Sequence, residues 1–427
     1  MTRRRTALAA LVLAVGAVGA AAPVLPASAA GETCERGVVA LDPSTPPALA
    51  LLQAERTWTR STGAGVIVAV VDSGVDAANP HLAGALIGGI DLVGDGADPN
   101  GYTDLDGHGT EIAGQIAARA VEGSGVVGLA RDASLLAVRV FRGTDDESVR
   151  NGWGPTTERV AQGIRYAVDA GASVINVSIS NYTESEDLRS AVEYASTNGA
   201  LVVASGGNAA TTDNLAATPR YPAAYPGALA VTAVTNGGLG TDDSIHGPHI
   251  EIAAPGASVL TSFAGGGDCT LAEVPSSSFA TAYVSAAAAL VAQAHPDETP
   301  AEWEYRLTAT ATRADPDHRD DVLGWGVVQP YEAVMLLPDS STRGPESPFA
   351  ETAGSLVRPA EITVTPDFSP SGFTFTTDAL VLVAVLSLTV LGALAAIIVL
   401  RTRRREAAAP AETATTTGGL LDRPKSP

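Results

Sequence analysis

Two rhythms of apolar residues alternate along the chain. Short β-branched runs at 66–72, 134–141, 173–179, 200–204, 228–234 and 250–253 have the continuous apolar character of strands covered on both faces. Segments 108–120, 156–170, 185–198, 275–290 and 299–312 instead carry helical spacing. Helices alternating with short strands predict an α/β fold, a three-layer sandwich with a mainly parallel sheet flanked by helices. The stretch 275–290, P-S-S-S-F-A-T-A-Y-V-S-A-A-A-A-L, is so uniformly small and apolar that it reads as a tightly packed, buried helix. Thr299, Pro300 and Glu302 form the start signal of the last helix. Residues 89–107, rich in glycine and aspartate, and 256–268 read as loops.

The flanks follow other rules. Residues 1–29 read as a secretory signal: Arg3, Arg4 and Arg5, an apolar run at 7–22, and Ala27-Ser28-Ala29 as the cleavage motif. Residues 30–65 lack a clear period and read as an extended arm with one helical piece at 48–58, wrapping the domain at 66–337. At about 36 residues the arm is too short for an independently folded inhibitory pro-domain. Residues 338–378 are a proline-, serine- and threonine-rich tether. Residues 379–400 are apolar and uncharged, long enough to span a bilayer once. Arg401, Arg403, Arg404 and Arg405 follow directly. Such a basic stop puts the tail, 401–427, in the cytoplasm and the domain on the outer face of the cell membrane.

Composition narrows the partners more than the fold. The 427 residues carry a formal net charge of -21, and Lys425 is the only lysine. A domain this acidic argues against nucleic acid and anionic lipid as its ligands. Only two cysteines are present, Cys34 and Cys269, and outside the membrane such a pair is expected to bridge, tying the arm to the segment before Ser278, with two unpaired thiols as the alternative. Asp91, Asp95, Asp98, Asp104 and Asp106 crowd one loop without the spacing of an EF-hand, and they read as solvated acids. No metal and no cofactor is expected.

Three separated motifs carry the chemistry: D-S-G at Asp72, H-G-T at His108 and S-F-A at Ser278. Asp, His, Ser is one of the chain orders of a serine-hydrolase triad. A serine at the start of a helix sits where outward N–H groups favour developing negative charge. Taken together, these motifs resemble the subtilisin-like serine proteases. The resemblance implies a subtilisin-like fold with Asp72, His108 and Ser278 as triad, Asn208 of S-G-G-N as oxyanion donor, and Ser178, Ile179 and Ser180 on a strand that pairs with a bound peptide.

The order of arm, catalytic domain, tether, span and basic stop is similar to that of the mycosins, membrane-anchored subtilases of type VII secretion systems. The similarity implies protein or peptide substrates and secretion-complex components as partners. It leaves two functions open: a serine endopeptidase acting on secreted proteins, or a structural subunit bracing the secretion channel. Five positions depart from the pattern. Ser276 and Ser277 replace Gly-Thr, Ser180 replaces a glycine and so narrows the entrance to the primary specificity pocket, Ala282 replaces a proline, and Leu105 stands where many mycosins have a cysteine bonded to the arm. A turn built without the first glycine is expected to bear on activity rather than on fold.

Overall fold

The computed structural model describes residues 34–209 and 218–349. The leader, span and tail read above lie outside them, as does the tether beyond Phe349. The first residues read as tether, 338–349, instead lie against the domain, with Arg343 paired to Asp317 and the Phe349 ring 5.7 Å from that of Tyr305. Among the described residues no helix is long and apolar enough to cross a membrane. Seven strands form one parallel sheet: β1 (Ile67–Asp72), β2 (Leu86–Asp91), β3 (Ser134–Arg139), β4 (Val174–Val177), β5 (Leu201–Ser205), β6 (Ala228–Val234) and β7 (Ile252–Pro255), in the order β2-β3-β1-β4-β5-β6-β7. A separate antiparallel pair joins β8 (Val259–Ser262) to β9 (Asp268–Leu271).

Both faces of the sheet are covered. Val68 and Val70 of β1 pack into one apolar cluster with α3 (His108–Ala117), α7 (Ser277–Ala294) and α8 (Pro300–Ala309). Ala69 and Val71 pack into the other, with α5 (Thr157–Asp169) and α6 (Glu186–Thr197). This period-two division between two buried faces is why the strands read as unbroken apolar runs. Helix α7 is buried from Phe279 to Ala292 except for its cap region, and its alanines let it lie close against β4 to β7. The Thr299 capping box forms as read, with Glu302 answering the cap backbone.

Several expectations are corrected. The helical piece at 48–58 is two short helices, α1 (Pro47–Leu51) and α2 (Ala54–Trp58), parted by Gln53 at φ 50°. The loop at 89–107 begins inside β2, an edge strand whose two glycines and partial exposure hide it from an apolar count. The loop at 256–268 contains β8 and leads into β9, while α4 (Asp146–Arg150) and α9 (Pro330–Met335) are too short to show a period.

The arm lies on the domain. Ala40 accepts a hydrogen bond from Asp268 N at 2.7 Å, and Asp42 N donates to Asp268 Oδ2 at 2.9 Å. A disulfide joins Cys34 to Cys269. Arg36 reaches the carbonyls of Asp104 and Asp106, the two residues flanking Leu105. The contact implied by the mycosin cysteine is therefore made here by a guanidinium.

Candidate active site

The sheet order reverses at β1, which has β3 on one side and β4 on the other. Open α/β sheets form a crevice at such a point, beyond the carboxyl ends of the strands. Asp72 is the last residue of β1 and is fully buried, with Ser73 N donating to its Oδ1 at 2.8 Å. His108 opens α3, and its Nδ1 lies 2.8 Å from the same oxygen. Read as an Nδ1–H donation to the carboxylate, that contact leaves Nε2 as the acceptor of a side chain that is 24% accessible.

The two motifs close on each other through their glycines. A Cβ on Gly109 would stand 2.0 Å from the Gly74 carbonyl, and one on Gly74 would stand 2.2 Å from the Thr103 carbonyl. Only glycine lets the H-G-T helix start and the D-S-G turn approach this closely.

Behind them Asp104 gathers four donors. Its Oδ1 accepts from Ser73 Oγ at 2.9 Å and Gly107 N at 2.7 Å, and its Oδ2 accepts from Thr110 N at 2.9 Å and Thr110 Oγ1 at 2.6 Å. Ser73 Oγ in turn accepts from Gly109 N at 2.9 Å. One buried carboxylate thus ties the residue after Asp72 to the first turn that carries His108. Asp91 and Asp95 clasp the fully buried Arg139, whose Nε donates to the Ser73 carbonyl at 3.2 Å. The reading of these three aspartates as solvated loop acids is overturned. The overlooked signal is Arg139 itself: a charge inside the apolar run S-L-L-A-V-R-V-F needs buried acids to neutralise it.

The carboxylates around the imidazole outweigh its burial. Burial disfavours its charged form, but the charge and hydrogen bond of Asp72, with the charges of Glu111 and Asp106 behind it, prevail and raise its pKa above the ordinary histidine range. Glu111, on the same helix, is itself pushed up to about 7 by burial, an effect His108 opposes.

Ser278 is the second residue of α7, in the turn whose amides have no intrahelical partner. Its hydroxyl donates to the Ser178 carbonyl at 3.0 Å, and Ser178 Oγ donates to the Ser278 carbonyl at 2.9 Å. The Phe279 ring lies 5.9 Å from the His108 ring, so the serine and the histidine share one rim. No hydrogen bond joins His108 to Ser278 among the described residues. Ser178, Ile179 and Ser180 follow β4 rather than belong to it, since the ladder to β5 ends at Val177. Ile179 and Ser180 line a cavity of about 60 Å3 together with Val160, Leu188 and Tyr221.

Asn208 lies just beyond β5, facing the start of α7. Its Oδ1 accepts from Ser277 N at 2.8 Å and Ser277 Oγ at 2.9 Å, and its Nδ2 donates to Ser276 Oγ at 3.2 Å. Ser276 sits at φ −121° and ψ 127°, an extended conformation open to any residue. The backbone at 276 therefore needs no glycine, and the fold of the turn is unaffected by the replacement. Among the described residues no group of three or more histidine, cysteine, aspartate or glutamate side chains is placed to hold a metal ion.

Residues 63–326 match the subtilase family, peptidase family S8. The chain belongs to this family of serine peptidases. Thermitase of Thermoactinomyces vulgaris is 37% identical over 242 residues, 56% of this chain and 80% of thermitase. Subtilisin E of Bacillus subtilis is 35% identical over 251 residues, 59% of this chain and 61% of subtilisin E. Two solved structures share the fold. MycP1 with its N-terminal propeptide removed has 31% identity and a TM-score of 0.60, covering 69% of this chain and 100% of that one. The MycP3 protease from the type VII (ESX-3) secretion system has 30% identity and a TM-score of 0.59, covering 70% and 93%. The family placement makes the chain a serine-type endopeptidase with a subtilisin-like fold.

Proposed function

We propose that this subtilase is a membrane-anchored endopeptidase that cleaves secreted proteins on the outer face of the cell membrane in association with a type VII secretion system. In this reading Asp72, His108 and Ser278 are its triad. The observation that carries the site assignment is the 2.8 Å contact of His108 Nδ1 with buried Asp72, on the rim shared with Ser278. That contact presents Nε2 as the base.

The chemistry follows from those positions. The Ser278 hydroxyl turns from the Ser178 carbonyl toward Nε2, giving up one hydrogen bond worth about 1 kcal/mol. As Oγ attacks the scissile carbonyl, His108 takes the hydroxyl proton, and Asp72 stabilises the imidazolium. The Asn208 amide and the Ser278 N–H receive the oxyanion, and loss of one such donor typically costs about 3 kcal/mol of barrier. His108 then passes its proton to the leaving amine. Water repeats the sequence on the acyl-enzyme, regenerating the serine. A peptide lying along 178–180 bonds through its backbone and sends a side chain toward the cavity at Ile179.

The anchoring and the secretion role rest on the apolar segment at 379–400 with its arginine stop, the tether before it and the likeness to MycP1 and MycP3. The full chain and its Ser278→Ala variant, each treated with a fluorophosphonate probe, test the assignment. Labelling of the first and not the second is expected; equal labelling of both removes Ser278 from the mechanism. A Ser278→Ala chain that supports secretion as the parent does, beside loss of secretion on deleting 379–400, would make the domain a brace for the channel.

A further inference from the structure

We propose that Ser276 is a positioning residue for the oxyanion-binding amide of Asn208, an inference that rests on the hydrolase reading of the site. The Asn208 side chain is held at both ends. Ser277 supplies two donors to Oδ1, and Ser276 Oγ accepts from Nδ2 at 3.2 Å. Turning the amide over would set its NH2 group against the Ser277 N–H, an obligate donor, so one orientation is selected. The Ser277 hydroxyl is itself fixed, 2.7 Å from Ser205 Oγ at the end of β5. With both ends of the amide bonded, its plane is fixed, and with it the directions of its N–H groups.

Stabilising an oxyanion depends on donors that are already oriented when charge develops. A glycine at 276, the residue the subtilase pattern carries, would leave the nitrogen end of this amide without that hydroxyl. The serine costs the backbone nothing, because its conformation is extended and the close approach falls on Gly256 instead. There Ser276 N donates to the carbonyl at 3.0 Å, and a Cβ on Gly256 would come within 2.4 Å of the Ser276 carbonyl. Replacing Ser276 by alanine or glycine therefore removes a hydroxyl and leaves the turn in place.

The test uses the rate at which a fluorophosphonate labels the full chain, since the phosphonyl oxygen takes the oxyanion's position whatever peptide the enzyme prefers. Ser276→Ala and Ser276→Gly should each slow labelling by about three- to tenfold, the loss of one hydrogen bond to a fixed donor, with melting temperatures unchanged. In a chain already carrying Asn208→Ala, the same changes should have no further effect, because Ser276 acts only through that amide. A rate unchanged or raised in the single variants overturns the inference, and so does an equal loss with and without Asn208. If the parent chain is not labelled, or Ser278→Ala is labelled as well as the parent, the hydrolase reading itself fails and this inference falls with it. Labelling that depends on Ser278 and ignores Ser276 overturns the inference alone.

Discussion

The imidazole of His108 works against its own surroundings. A general base must be neutral to accept a proton, yet Asp72 in contact and Glu111 and Asp106 nearby all favour the charged ring and lift its pKa above the ordinary range. Activity should therefore rise with pH through a titration placed higher than that of a free histidine. Glu111 makes a clean test because it is buried and has no hydrogen-bonded role in the site. Burial pushes its pKa up to about 7, so the charge it sets against the imidazole grows as pH rises through that value. Glu111→Gln removes that charge, the imidazolium loses part of its stabilisation, and the acid limb of the labelling rate or of kcat/KM should move to lower pH. A limb that stays in place, or moves up, would show that Glu111 does not act on His108 through its charge.

At the scale of elements, the site is a problem of bringing a strand end and two helix starts together. Asp104 solves the first half. Its carboxylate accepts from the turn after β1 and from the first turn of α3, so the separation of Asp72 from His108 is set by one buried acid. Asp104→Asn replaces one accepting oxygen with a donor that faces other donors. We expect a loss of about 2–3 kcal/mol in stability, the worth of hydrogen bonds to a charged group, and labelling slowed at least tenfold with the melting transition still cooperative. Labelling at the parental rate in the folded variant would show that the two elements are held by other contacts. This residue also marks where reading the chain stops. The motifs at Asp72, His108 and Ser278 stand out in the sequence because each pairs a chemical group with a local signal, a strand end or a helix start, whereas Asn208 is marked by the family resemblance alone. The long strands and helices were legible from their periods. Asp104, Asp91 and Asp95 were not, because their partners Thr110 and Arg139 lie on other elements, and only the folded chain shows that a glycine- and aspartate-rich loop is pinned rather than solvated. β2 and β8 were hidden for a related reason: four- to six-residue strands with glycine or hydroxyl residues carry no period of their own.

At the scale of the whole molecule, the arm ties compartment to stability. Cys34 and Cys269 are 235 residues apart in sequence and are joined in the structure, and Asp42 and Ala40 pair with Asp268, the neighbour of Cys269. His81, fully buried, holds the other oxygen of Asp268 at 2.9 Å, so the bridge closes onto a rigid anchor. A bond of this kind forms in an oxidising compartment and persists there. The proposed placement, which rests on the sequence read as a signal at 1–29 and as a span at 379–400, calls for the same compartment. A cross-link between distant residues restricts the unfolded chain and is typically worth about 2–4 kcal/mol. For a domain of this size that corresponds to a melting shift on the order of 5–10 °C. The exported chain should show no titratable thiol before reduction. The same chain retained in a reducing cytoplasm by removal of residues 1–29 should show two, and should melt lower by that margin. Exchange of the backbone amides at 34–44 should be faster in the reduced form, because that segment then keeps only its hydrogen bonds to the domain. Two free thiols in the chain expressed with residues 1–29 would overturn the bridge as a native feature and count against the proposed placement of the domain outside the cell.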